Sequence, residues 1–241
     1  NNATDDSVNV NAADTIVNAG IAVAGYGKAL QNIGVIGSAS AGVENSSISV
    51  TTHSLINASV GIAADLGDTE QDIGVISAKT GSIGDTKETV DVSTSLNVAA
   101  GVAAYASANQ DVATIDGDNI NDSTDQVTAD KVINVSAALA AAASANQFIG
   151  VIKGGNVENI KSAVDVGSLV NASAGLAASV DATQSVGVIN GEGKSLEDDS
   201  LTLTAKSVTN VSAALIGKAS SEQSIGTITG SVTNSLMKIS V

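Results

Sequence analysis

The chain has 241 residues, a formal net charge of -15 at pH 7, and no cysteine, proline or tryptophan. This charge argues against nucleic acid and anionic membranes as partners, because both are bound by clustered Lys and Arg. No apolar run is long enough for a membrane-spanning helix. With a single His, and with Lys as the only basic residue besides it, the chain is also poor in catalytic and phosphate-binding groups.

The hydrophobic residues make up 43 % of the chain but include only three aromatic residues, Tyr26, Tyr105 and Phe148. A core of Ala, Val, Ile and Leu has to be thin and regularly layered. The lack of cysteine leaves the redox compartment open. Because the sequence starts with Asn1 rather than Met, we expect that a leader was removed and that the protein is exported.

An internal repeat is the dominant feature of the sequence. An Asn recurs at intervals of 39, 40, 37, 37 and 39 residues, and a Gln follows it 13 or 14 residues later. These positions are Asn18, Asn57, Asn97, Asn134, Asn171 and Asn210, with Gln31, Gln71, Gln110, Gln147, Gln184 and Gln223. We therefore predict one domain, 1-241, with repeats at about 8-47, 48-89, 90-126, 127-163, 164-200 and 201-238, and the start of a seventh at 239-241.

Each repeat has the same order of segments. It opens with an apolar triplet, continues through the Asn segment to the Gln, and then has a short Val/Ile strand, which in the third copy becomes Val112-Ala113-Thr114-Ile115. A polar loop leads to the next triplet. The seven triplets begin at Val8, Ile48, Val90, Val127, Val164, Leu201 and Ile239.

The Ala-rich stretch 136 to 145 has the composition of a helix. Its counterparts in other repeats contain Gly61, Gly101 and Gly175, and each interior Gly costs a helix about 1 kcal/mol. We therefore predict strands throughout: an all-β, parallel β-solenoid of six imperfect repeats of 37-42 residues with open ends. A single folded-back rung per repeat is favoured over two shorter rungs, and six rungs would be about 29 Å tall.

Period-2 alternation divides the Asn segment into two faces. We expect one face to be a hydrophobic core ladder, with the residues Ala19, Ala58, Val98, Val135, Ala172 and Val211, then Val23, Ile62, Val102, Leu139, Leu176 and Leu215. The other face carries the Asn column and small Ser, Ala and Gly residues. Such a face needs a cover, either from the same chain or from a neighbouring subunit.

Stacked Asn and Gln side chains form amide ladders along a β-stack, and we interpret both columns in this way. The acidic loop with Asp116, Asp118 and Asp122 suggests calcium as the alternative to a solvated loop. A glycosidase pair at Asp116 or Asp118 lacks aromatic and basic partners, so we expect no enzyme and no other cofactor. His53 is expected at the surface, and Asn2, Asn45 and Asn121 are possible glycosylation sites.

The segment Leu96-Asn97-Val98-Ala99-Ala100-Gly101, followed by Asn109-Gln110, resembles the repeats of Fap-type functional amyloid subunits and related biofilm-matrix proteins. The likeness covers all six rows as a pattern of an Asn, small residues, a Gln and a short Val/Ile strand. The resemblance implies secreted subunits with stacked β-rungs and amide ladders in resistant extracellular fibres.

The sequence leads to a secreted subunit that assembles head to tail into a filament outside the cell, with itself as partner. The expected joint consists of Val8, Val10, Ile239 and Val241, because an uncapped rung favours addition of another copy. The alternative is an adhesin stalk or passenger that binds a glycan or a surface through the loop 81 to 84.

Overall fold

A computed structural model describes residues 3-22, 26-38, 42-61, 66-101, 105-138 and 142-240. Its strands are β1 (Ala3–Thr4), β2 (Ser7–Ala22), β3 (Tyr26–Ser38), β4 (Val43–Glu44), β5 (Ser47–Gly61), β6 (Leu66–Gly84), β7 (Lys87–Gly101), β8 (Tyr105–Asn121), β9 (Thr124–Ala138), β10 (Ala142–Glu158), β11 (Lys161–Glu197), β12 (Ser200–Thr233) and β13 (Leu236–Ser240). Across the described ranges, no helix is long and apolar enough to cross a membrane.

The strands stack in parallel as a β-solenoid, as predicted. Each row has a first arm that carries the Asn and a second arm that carries the Gln. The first arms are β2, β5, β7, β9 and the leading parts of β11 and β12; the second arms are β3 with β4, β6, β8, β10 and the trailing parts of β11 and β12. Since Asn97 pairs with Asn57 below and Asn134 above, each repeat contributes one folded-back rung.

The wide end of each rung holds the main hydrophobic core. In the second row, Ile48, Val50 and Leu55 of the first arm pack with Ile73 and Ile76 of the second, and all five are at most 1 % exposed. Burying one such side chain contributes about 1.5 to 3 kcal/mol. Six equivalent layers give this thin core its stability without large aromatic residues.

At the narrow end the two arms lie close together, and small residues line the contact. A Cβ atom added to Gly20 would be 2.8 Å from the backbone oxygen of Lys28. Ala99, Ala106, Ala108, Ala138 and Ala143 form a second buried cluster in this region. The Ala-rich composition that suggested a helix is therefore a requirement of close packing between two strands.

The Asn face of the first arm is covered, as predicted, but the face assigned to the core ladder lies on the outside of the rung. Asn97 and Ala99 point inward and are fully buried, whereas Val98 is half-buried on the outside and Val211 is 47 % exposed. The second arm of the same chain covers the Asn face. Among the other residues assigned to the core ladder, Leu215 is 76 % exposed, the side chain of Leu176 is not described, and Val23, Ile62, Val102 and Leu139 lie outside the described residues.

The predicted triplets fall into two registers. The triplet alignment places Val90 opposite Ile48. In the structure Val90 pairs with Val50, so the third row is shifted by two residues relative to that alignment. Ile239 pairs with Leu203, and Met237 occupies the place opposite Leu201. The error arose because the column of Val8 and Ile48 continues with polar residues, Glu88, Asp125 and Ser162.

A turn with an Asn or Asp in the left-handed region leads from each row to the next. The seven residues have φ between 48° and 58° and are Asp5, Asn45, Asp85, Asp122, Asn159, Asp198 and Asn234. Asn and Asp tolerate this conformation better than other residues with a side chain. The column recurs as regularly as the Asn and Gln columns and was a sequence signal for the row boundaries.

One residue of each Val/Ile strand lies in the left-handed region of backbone conformation. Gly34, Gly74, Gly150, Gly187 and Gly226 have φ of 52° to 62°, and Ala113 takes φ 50° in the third row. Ala in this region is strained by about 1 to 2 kcal/mol. Gly would remove this strain, but it loses more backbone entropy on folding, which offsets part of the gain. We expect Ala113→Gly to raise the free energy of unfolding by about 0.5 to 1 kcal/mol.

Gly74→Ala is the reciprocal variant. Its Cβ would lie 2.4 Å from Val90 Cγ2 and 2.6 Å from Glu88 Oε1, so we expect a loss of about 3 kcal/mol. Urea unfolding followed by circular dichroism measures both effects. Equal stability of the wild type and both variants would contradict the conformation assigned to this column.

Candidate functional site: two amide ladders

The Asn ladder lies at the narrow end of the rungs, between the two arms. Asn57, Asn97, Asn134 and Asn171 are fully buried. From Asn18 to Asn171, each Nδ2 donates to the Oδ1 of the Asn in the next row at 2.9 to 3.0 Å. The six predicted Asn thus form one continuous line of hydrogen bonds along the solenoid axis.

The same amides also connect the two arms. Asn134 Nδ2 lies 2.8 Å from the backbone oxygen of Asn146 in its own row and 3.0 Å from that of Ala108 in the preceding row. Asn171 makes equivalent contacts with Thr183 and Ala145. Sequence reasoning found the ladder along the axis but not these bonds across the rung, which explain why the Asn side chain faces inward.

The Gln ladder runs in the opposite direction. Each Nε2, from Gln71 to Gln223, donates to the Oε1 of the Gln in the preceding row at 2.6 to 2.8 Å. Ser95 joins this ladder through bonds with Gln71 and Gln110. Gln31, in the first row, is 6 % exposed, and among the described residues its Nε2 has no hydrogen-bond partner.

Asn134→Ala tests the energetic weight of the buried ladder. The substitution removes bonds to two Asn neighbours and leaves two carbonyl groups of the second arms, those of Ala108 and Asn146, without their donor. A buried polar group left without a partner costs about 1 to 3 kcal/mol, so we expect the free energy of unfolding to fall by about 3 kcal/mol.

Asn156→Ala is the matched control. Asn156 donates to Asn119 Oδ1 at 2.8 Å in the same ladder chemistry, but the contact is exposed, and we expect a change within about 0.5 kcal/mol. Urea unfolding gives both values. Similar losses of unfolding free energy in the two variants would show that burial between the arms does not increase the contribution of the ladder to stability.

Two carboxyl groups lie inside the hydrophobic core. Glu88 and Asp125 face each other in adjacent rows, and both are fully buried. Burial raises the pKa of Glu88 well above its usual range, and the neighbouring Asp125 raises it further. Burial also raises the pKa of Asp125 to about 8, against the lowering effect of the Ser162 hydroxyl, which donates to Oδ2 at 3.2 Å.

The pKa values of two carboxyl groups outside the core are also raised. Asp72 and Asp111 are neighbours on the outer side of the second arm. Partial burial and then the charge of Asp111 raise the pKa of Asp72 to about 7, and burial raises that of Asp111 to about 6 although Lys153 lowers it. All these groups favour the protonated form in the folded state.

These shifts predict a protein that is more stable in mild acid than at neutral pH. The unfolded carboxyls lose their protons near pH 4, whereas folded Asp125 keeps its proton to about pH 8. Stability is therefore complete below pH 4 for these groups and is lost as the pH rises towards 8. We expect the thermal midpoint to fall continuously between pH 5 and pH 8.

Glu88→Gln with Asp125→Asn isolates the buried pair. In the double variant the fall of the midpoint between pH 5 and pH 8 should be smaller than in the wild type, since two of the responsible groups no longer titrate. Thermal melts in buffers of equal ionic strength measure the difference. A midpoint that rises with pH in the wild type would contradict the assignment.

The remaining candidate residues do not converge on a common site. Asp116 and Asp118 are exposed on β8, and Asp122 is exposed in the turn after it. In the described part of the chain no three Asp, Glu, His or Cys side chains are grouped to hold a metal ion. His53 is exposed. The segment 81 to 84 belongs to β6, with Ile83 fully buried, so it is not a protruding loop.

The proposed joint residues lie at the two ends of the stack. Val8 and Val10 are half-buried in the first row, against the core. Ile239, on β13, is 41 % exposed. Val241 lies outside the described residues, as does Asn2 among the possible glycosylation sites. Asn45 and Asn121 are exposed.

Comparison with protein-family models, with curated proteins and with solved structures finds no match for this chain. The features of the molecule that bear on function are the geometry of the ladders and that of the rung edges. An amide ladder can be extended by a further amide at either end, because one end presents an NH₂ donor and the other an oxygen acceptor.

Proposed function

We propose that this protein is a structural subunit that assembles head to tail into a filament outside the cell. The observation that carries the proposal is the buried, unpaired Nε2 of Gln31. In every later row, the equivalent nitrogen donates to the Gln of the row before it. A preceding rung from another copy would supply the missing acceptor.

The opposite directions of the two ladders make the ends complementary. At the last row, Gln223 donates to Gln184 and so presents the acceptor end of the Gln ladder. Asn210 accepts from Asn171 at this end, and Asn18 is the first donor at the other. In a head-to-tail joint, Gln31 would donate to Gln223 of the other copy while Asn210 of that copy would donate to Asn18. A head-to-head contact would place donor against donor.

The backbone offers the same kind of joint. In the described residues, β13 covers only Ser200 to Thr204 of the last row, and no strand pairs with the outer edge of the rest of β12. The outer edge of β2 in the first row is likewise free. Unpaired strand edges favour addition of another chain. In the joint, β13 of one copy and the start of β2 of the next copy would occupy the same place in a layer. One of these two segments must therefore move away when the copies join.

An extracellular location is part of the proposal. The chain contains no cysteine, so no thiol chemistry ties the fold to a reducing or to an oxidising compartment.

The test is assembly of the purified protein, with Gln31→Met as the diagnostic variant. We expect the wild type to form filaments with rungs stacked along the filament axis, visible by negative-stain microscopy. Met conserves volume but cannot donate, and one hydrogen bond is worth about 1 kcal/mol. The critical concentration for assembly should therefore rise about fivefold.

Asn156→Ala serves as control, because its exposed amide lies on the side of the filament and should leave the critical concentration unchanged. Thermal melts of each monomer separate assembly from folding. Wild-type protein that stays monomeric at high concentration would refute the proposed function. An unchanged critical concentration in Gln31→Met would exclude the Gln ladder from the joint.

A further inference from the structure

The outer side of the first arms forms a flat apolar face. It has three columns of six residues, which we call the outer apolar face: Val17, Ile56, Leu96, Ile133, Val170, Thr209; Ala19, Ala58, Val98, Val135, Ala172, Val211; and Ile21, Val60, Ala100, Ala137, Ala174, Ala213. All eighteen side chains are exposed or half-buried, and Thr209 is the only polar one. Val17 and Ile21 are 62 % and 76 % exposed.

From this face we infer that two filaments of this protein pair side by side, each covering the outer apolar face of the other. The inference rests on the proposed function, because it concerns the assembled form. The partner it names is a second copy of this chain, bound sheet to sheet.

The area of the face explains why filaments, and not single subunits, would pair. Six rows at about 4.8 Å and three columns of alternate residues give a patch of about 29 by 17 Å, or about 500 Å² per subunit. A stable complex of two proteins buries about 800 Å² on each side. One subunit therefore falls short of a stable dimer, whereas a filament adds the same area with every subunit and gains from multivalency.

The distribution of charge favours a second copy over other occupants. The chain has a net charge of -15, and carboxylates such as Asp68, Glu70 and Asp116 lie on the outer side of the second arms. Two copies that meet through those surfaces would repel each other. The outer apolar face is the broad surface through which they can approach without opposing carboxylates, and the net charge disfavours an anionic membrane there.

The shape of the face supports the same partner. Both surfaces would be β-sheets with an identical spacing between rows, so their side chains can interdigitate over the whole length of two filaments. Packed sheets lie about 10 Å apart, which small and β-branched residues such as Ala100 and Val135 permit. A partner without this repeat would match only a few rows.

Val135→Lys and Thr128→Lys provide a matched pair of variants. Both residues lie on the outer side of β9 in the same row, and Val and Thr have nearly the same shape. Val135 belongs to the outer apolar face, whereas Thr128 is exposed in the polar half of the strand. Circular dichroism and thermal melts of the monomers verify that both variants fold.

The readout is mass per unit length of the filaments by scanning transmission electron microscopy. We expect paired filaments from the wild type and Thr128→Lys, and single filaments with half the mass per length from Val135→Lys. Thr128→Lys should leave the critical concentration within twofold of the wild-type value. Val135→Lys should raise it, because each added subunit then loses the lateral contact and keeps only the end-to-end joint.

Single filaments from the wild type would overturn the inference and leave head-to-tail assembly intact. Paired filaments from Val135→Lys would also overturn it, since the pairing would then use another surface. Binding of single wild-type filaments to phosphatidylcholine vesicles, abolished by Val135→Lys, would assign the face to a lipid surface instead. The absence of any filament would overturn both the inference and the proposed function.

Discussion

The hydrogen-bond requirement of one buried amide governs this fold. An Asn side chain inside a β-rung needs partners for its NH₂ group and its oxygen, and burial without them would cost several kcal/mol. Each interior Asn meets this need with the Asn of the next row and with carbonyl oxygens of the second arm. The amide therefore fixes the register of the rows and the distance between the arms at the same time.

The small residues around the Asn follow from that requirement. An amide can reach the opposite backbone only where the two arms are close, and at Gly20 even a Cβ atom would collide with the opposite carbonyl. Ala and Ser line the remaining contacts in this part of the rung. Most of the buried large aliphatic residues lie at the wide end, where the arms diverge. The wedge-shaped rung is thus a consequence of satisfying one side chain.

The sequence predicted the architecture well because the Asn and Gln columns are strictly periodic. Their spacing led to six rows of a parallel solenoid, and the need to cover the Asn face favoured one folded-back rung per repeat. It did not reveal that Val98 faces outward, because period-2 alternation predicts a hydrophobic core ladder on that face, whereas the bonds across the rung turn the Asn face towards the second arm. The triplets were misaligned for a related reason: Glu88 and Asp125 occupy core positions that an apolar pattern cannot locate. Their burial depends on protonation, which composition does not show.

The two ladders also give each end of the stack both a donor and an acceptor, which no single column would provide. Backbone pairing in parallel strands already distinguishes the two ends, and the opposed amide directions make each end present one donor ladder and one acceptor ladder. Addition in the correct orientation satisfies both ladders together. Sequence periodicity indicated that copies could stack, but the direction of the bonds and the unpaired Gln31 nitrogen became visible only in three dimensions.

The central claim is that the Asn amides are buried partners of both arms. Hydrogen exchange of side-chain NH₂ groups, followed by NMR on protein labelled with ¹⁵N at Asn and Gln, measures this most directly. The account predicts slow exchange for Asn97, Asn134 and Asn171 and fast exchange for the exposed Asn156 in the same molecule. Equally fast exchange at all four positions would contradict it.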